Sequence, residues 1–110
     1  MTQSTERFVV LSTAPDAEVA AELARALVEE RHAACVNVVP AVRSFYRWEG
    51  RVHDEAEVLL VAKTDGKRLG GLINALADAH PYECPEIVAL PISEGLPAYL
   101  TWISESLADD

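Results

Sequence analysis

Two kinds of apolar spacing alternate along this chain. Phe8-Val9-Val10-Leu11-Ser12-Thr13 is a β-branched, apolar run closed by Ala14-Pro15-Asp16, which predicts a strand followed by a helix entry. From Asp16 to about Arg31 the spacing changes: Val19, Leu23 and Leu27 recur every four residues, Ala20, Ala24 and Ala26 widen the stripe, and Glu18, Glu22, Arg25 and Glu29 fall outside it. That pattern predicts an amphipathic helix, with an acidic start and an Arg31-His32 finish that suit the helix dipole. Ala34 to Val39 has strand composition, and the pattern resumes after Pro40 through Val42, Ser44, Phe45 and Tyr46. Proline inside a strand implies a bulge or a sheet edge. Trp48-Glu49-Gly50-Arg51 turns the chain, and Val52 to Thr64 runs back, so a long hairpin with aromatic residues near its tip is expected.

Val58-Leu59-Leu60-Val61-Ala62 does not alternate, and neither do Phe8 to Leu11 or Ile87 to Leu90. Successive strand side chains point to opposite faces, so an unbroken apolar run implies cover on both. Two long helices and one short one can cover one face. The other is therefore expected to meet the sheet of another copy, which predicts an obligate oligomer.

Leu69, Leu72, Ile73 and Leu76 make the stripe of a second helix capped by Asp65-Gly66 and ended by Pro81, and His80 extends the stripe inward. Pro91 and Gly95-Leu96-Pro97 then break the chain before a terminal helix striped by Leu96, Tyr99, Leu100, Ile103 and Leu107. The fold class is α+β: a single ferredoxin-like βαββαβ domain over 1–110 with a C-terminal helix and a long hairpin between its second and third strands. Residues 1–6 and 108–110 are expected to be frayed.

Composition narrows the function. A formal net charge of −9 and a pI near 4.7 repel phosphate backbones, so nucleic acid is not an expected partner. No apolar run approaches a membrane span, and no membrane partner is expected. Two cysteines without a leader segment fit a reduced, cytoplasmic thiol pair.

The densest chemistry lies in His80-Pro81-Tyr82-Glu83-Cys84-Pro85-Glu86, where two prolines stiffen a corner carrying an imidazole, a phenol, a thiol and carboxylates. Thiol and imidazole are ligands for Cu²⁺ or Zn²⁺, but His80 and Cys84 are separated by Pro81, and Cys35 lies on a distant strand. No CxxC or HxxxH spacing occurs. By spacing alone, buried thiols acting as small hydrophobes compete with a metal site. An enzyme reading, with His80 as base, Glu86 as orienter and Cys35 as nucleophile, has no nucleophile elbow, phosphate loop or metalloprotease signature behind it, and the protein is read as non-catalytic.

Ala34-Cys35-Val36-Asn37 with Pro40, Tyr46-x-Trp48-Glu49-Gly50, Glu57, Lys63-Thr64, His80-Pro81-Tyr82 with Pro85-Glu86, and Tyr99-Leu100-x-Trp102 form an ordered series that resembles the CutA divalent-cation-tolerance family over nearly the whole chain. The resemblance implies a tight homotrimer whose hairpin, with Tyr46 and Trp48, reaches a neighbour. It also implies a role in copper tolerance and an architecture similar to PII signalling proteins. Copper-binding members carry a cysteine at the end of the first strand and two adjacent histidines before the Pro-Tyr pair; here those positions hold Ser12 and Ala79-His80, so His80 alone carries over. The expected metal residues are accordingly His80, Cys35, Cys84 and Glu83, for a weak or non-essential divalent cation, Cu²⁺ first and Zn²⁺ as the alternative. A second group matching the family, Glu57, Lys63, Tyr82, Glu86, Tyr99 and Trp102, is expected to line an inter-subunit cleft. Two readings of it stand: an ion-pair network fixing trimer register, or a site for an anion or small metabolite anchored by Lys63, as in a PII-like sensor.

Overall fold

The computed structural model describes residues 6–109. Along the chain run β1 (Arg7–Ala14), α1 (Ala17–Glu29), β2 (Cys35–Trp48), β3 (Arg51–Asp65), α2 (Leu69–Ala79), β4 (Ile87–Pro91) and α3 (Pro97–Leu107). The strands form one antiparallel sheet in the order β2-β3-β1-β4, so both crossovers of the βαββαβ order are present and the expected ferredoxin-like arrangement is the observed one.

Local chemistry fixes the boundaries. Asp16 caps α1 by accepting the Val19 N–H at 2.8 Å. Asp65 and Gly66 do not cap α2 as expected. Asp65 ends β3, and its carboxylate accepts the Lys67 and Arg68 N–H groups, so it shapes the turn while Arg68 takes the cap position. Pro81 forces His80 into extended geometry, φ −75° and ψ 138°, and α2 stops there. The hairpin turn has Glu49 at φ 50° and Gly50 at φ 79°, the pair of left-handed conformations that matches the twist of its strands. Pro40 stands where the β2–β3 register slips between Val39 and Val42, with Ala41 at φ 65°: a bulge, on the edge strand. The hairpin carries the molecule out to 48 Å along its longest axis, against 25 and 22 Å across.

The core lies on one face of the sheet. Val10, Ala14, Val58, Leu60 and Ala62 project from it into Ala20, Leu23 and Leu27 of α1 and Leu72 and Leu76 of α2. The opposite face carries Val9 and Leu11 of β1, Leu59 and Val61 of β3, Val39 of β2, and Val88 and Leu90 of β4. Among the described residues α3 approaches it at one end, and the segment after α2 reaches it at the other, where Tyr82 meets Glu57. Arg7 donates to the Ser104 hydroxyl at 3.1 Å and the Tyr99 phenol lies beside Cys35, so α3 sits at the Arg7–Cys35 end. Ile103 and Leu107 are buried there, whereas Leu96 and Tyr99 of the expected stripe remain exposed. Val39, Val88 and Leu90 keep 41%, 48% and 49% of their surface in solvent.

Of the ends expected to fray, Met1–Thr5 and Asp110 lie outside the described residues. Glu6 accepts the Gly66 N–H through its carbonyl, and Arg68 pairs with Asp109 at 2.8 Å.

Candidate functional site: an acidic, aromatic-walled cleft

Where the hairpin leaves the body of the sheet, a cleft of about 570 Å³ opens between β2, β3 and the segment after α2. Glu55 and Glu57 are two apart on β3 and therefore share a face. Ser44 lies opposite Glu55 in register, and Tyr46 and Trp48 continue that strand outward. The two-proline segment closes the other side with Tyr82, Glu83, Cys84 and Glu86. Among the described residues four carboxylates line the cleft, and no lysine or arginine does.

Two phenols hold two of these carboxylates. Tyr82 donates to Glu57 at 2.5 Å and Tyr46 to Glu55 at 2.8 Å. Burial first, then the bond to Glu57 and the charges of Glu57 and Glu55, push the Tyr82 phenol well above the ordinary tyrosine range. The bond to Glu55 does the same for Tyr46, with desolvation second. Tyr46 also stacks on His53 across the hairpin, ring centroids 5.1 Å apart and planes 13° from parallel. Glu57 is the most buried carboxylate of the lining, 8% exposed.

His80 stands behind this wall. Its Nδ1 accepts the Tyr82 backbone N–H at 3.1 Å, so the ring proton belongs on Nε2, which donates to the Thr13 carbonyl at 2.7 Å. The imidazole and the Tyr82 ring are 4.7 Å apart. Both ring nitrogens are thus engaged within one chain, and His80 reaches a metal only by giving up one of these bonds.

The expected metal residues separate. Glu83 and Cys84 share the cleft; His80 is buried beneath it; Cys35 lies at the far end of the sheet, beside Tyr99. Ser12, where copper-binding relatives were expected to carry cysteine, is 1% exposed on the core face, and its hydroxyl has no hydrogen-bond partner among the described residues. No group of three or more His, Cys, Asp or Glu side chains is arranged to hold a metal ion among the described residues. Within one chain these residues do not fit a tight Cu²⁺ or Zn²⁺ centre.

The expected cleft residues also divide. Glu57, Tyr82 and Glu86 meet in the cleft with Tyr46 and Trp48. Lys63 is six residues further along β3, about 20 Å away, where it contacts the Asn37 side chain and pairs in register with Cys35. Tyr99 and Trp102 stack at 5.4 Å on α3, at that same end. Glu55, Ser44 and Phe45 were not among the expected residues. The alternation Glu55-x-Glu57, read against Ser44-x-Tyr46-x-Trp48 across the turn, is the signal that points to Glu55 and Ser44.

A ferredoxin-like α+β domain with a partly bare apolar sheet face and an acidic cleft at the root of its hairpin is the class of protein this geometry defines. Residues 8–106 match the family described as CutA1 divalent ion tolerance protein, and the chain belongs to that family. It is 52% identical over 98 residues to the divalent-cation tolerance protein CutA of Thermus thermophilus, covering 89% of this chain and 95% of that one. It is 43% identical over 93 residues to Protein CutA of Mus musculus, of which it spans about half, 52%. Among solved structures, CutA from Xylella fastidiosa superposes with a TM-score of 0.90 at 40% identity, covering 93% of this chain and 98% of that one. CutA1 from Oryza sativa gives 0.92 at 38% identity, covering 99% and 100%.

Proposed function

We propose that the protein is a homotrimeric, non-catalytic divalent-cation tolerance factor of the cytoplasm, with Cu²⁺ as its first ion and Zn²⁺ as the alternative. The observation that carries the assembly is the sheet face opposite α1 and α2, where Val39, Val88 and Leu90 stay in water beside Leu11, Leu59 and Val61. A contiguous apolar surface of this kind marks an interaction site, and two further copies of the same face would remove it from water. Light scattering on the reduced protein should give the mass of three chains, and Leu90→Glu should lower it. A well-folded lone chain at micromolar concentration sinks the assembly.

Family membership supports the cation role, while the separation of His80, Cys35 and Cys84 argues for loose uptake. Cys84 and Glu83, which share the cleft, are the residues a weakly held ion would touch; Cys84 is an exposed free thiol, in keeping with a reducing compartment. Calorimetric titration with Cu²⁺ and Zn²⁺ should show weak saturable uptake that Cys84→Ser reduces. No saturable uptake, or uptake indifferent to Cys84→Ser, Cys35→Ser and His80→Ala alike, removes the metal reading.

The cleft favours a second reading, a PII-like trimeric small-ligand sensor. Its volume falls in the range of small-molecule sites, and its walls combine aromatic rings with a few placed polar groups.

A further inference from the structure

We infer that the cleft takes a small organic cation, an alkylammonium or guanidinium compound, in place of the anion that an anchoring Lys63 would have selected. The inference rests on the small-ligand reading just given and supplies its ligand class. Glu57 lies nine-tenths out of water in the lining, and its charge has no lysine or arginine partner among the described residues. A buried carboxylate that keeps its charge calls for a compensating cation. Tyr82 supplies one hydrogen bond to it but no positive charge.

Shape and wall chemistry decide what kind of cation. The acidic groups do not converge tightly enough to cage a bare ion, and they surround a space of molecular size. Tyr46, Trp48 and Tyr82 stand in the same lining. Aromatic faces attract ammonium and guanidinium groups, and the carboxylates accept their N–H bonds. A hydrated metal ion uses the rings poorly, and an anion meets only repulsion. A diamine uses both.

The test is calorimetric titration of the protein, in its solution assembly, with 1,4-diaminobutane. The uncharged 1,4-butanediol and the dianion succinate serve as matched probes. Saturable diamine binding that weakens with salt, with no response to the other two, is expected. Glu57→Gln, which keeps the shape and removes the charge, should weaken diamine binding about tenfold or more. Glu86→Gln, at an exposed position of the lining, gives a second reading should Glu57→Gln fail to fold. Glu105→Gln, the same charge change on α3, should leave binding as it was. No diamine binding, equal binding of the diol, or equal loss from Glu57→Gln and Glu105→Gln overturns the inference. Maleimide labelling of Cys84 in the Cys35→Ser background separates two kinds of failure. Reactive Cys84 without diamine binding overturns the cation class alone, whereas unreactive Cys84 means that the assembly closes the cleft, and the small-ligand reading falls with it.

Discussion

His80→Leu is the substitution that most directly tests how the cleft is built. Leucine fills much of the space of the ring but cannot accept the Tyr82 N–H or donate to the Thr13 carbonyl, which the imidazole does at 3.1 and 2.7 Å. Both backbone groups would be left in a region where His80 itself is 8% exposed. Each buried, unsatisfied group costs about 1–3 kcal/mol. Some apolar burial is regained, so the expected loss is about 2–4 kcal/mol, large against the few tenths typical of a surface change. Urea unfolding at one fixed protein concentration measures it, because the apparent stability of an assembled protein depends on concentration. The arrangement also demands that the neutral ring carry its proton on Nε2, which long-range ¹H–¹⁵N spectra of the imidazole report. A loss under about 0.5 kcal/mol, or a ring protonated on Nδ1 instead, would refute the account of His80 as the clamp between β1 and the Tyr82 backbone.

The Tyr82 phenol is pushed up chiefly by burial and next by the bond to Glu57, so the folded chain holds this proton where an unfolded tyrosine loses it, above about pH 10. The stability that follows is complete below that pH and falls as pH rises beyond it; urea midpoints across this range should decline less steeply for Tyr82→Phe, and identical slopes would refute the link. Asp16→Ala removes the side-chain acceptor of the Val19 N–H and should lower stability by about 1 kcal/mol in the same urea assay, with Asp16→Asn retaining most of it.

Which parts of the molecule could be read from sequence follows from the range of the forces involved. The strands and helices are set by periodicity and by proline and glycine, which act within a few residues: Pro40 at the bulge, Glu49-Gly50 in the turn and Pro81 at the end of α2 all stand where local stereochemistry puts them. The unbroken apolar run Val58 to Ala62 likewise showed both faces of β3 to be apolar, and the structure leaves the second of them partly bare. The site was less legible because it depends on register. Nothing local to Lys63 tells that it pairs with Cys35 while Glu57 pairs with Val42 beyond the bulge, so their separation within one chain is not legible from either residue's neighbours. Asp65 misled for a related reason: its carboxylate serves the Lys67 and Arg68 amides of the turn, one step before the helix begins.

Within one chain, that separation leaves the cleft lined by carboxylates and phenols. With Lys63 in its lining, the pocket would have held a fixed positive charge beside Glu57 and selected an anion or completed an internal ion pair. Displaced along β3, Lys63 leaves Glu57 with a phenol instead of a cation, and a phenol whose proton is held more tightly than usual remains a neutral donor across the physiological range. Tyr82 can therefore orient the carboxylate without cancelling its charge. His80 serves the same end from behind, because its two bonds tie the Tyr82 backbone to Thr13. His80, which the resemblance led us to expect as a metal residue, is thus, within one chain, the residue that ties the acidic wall to β1.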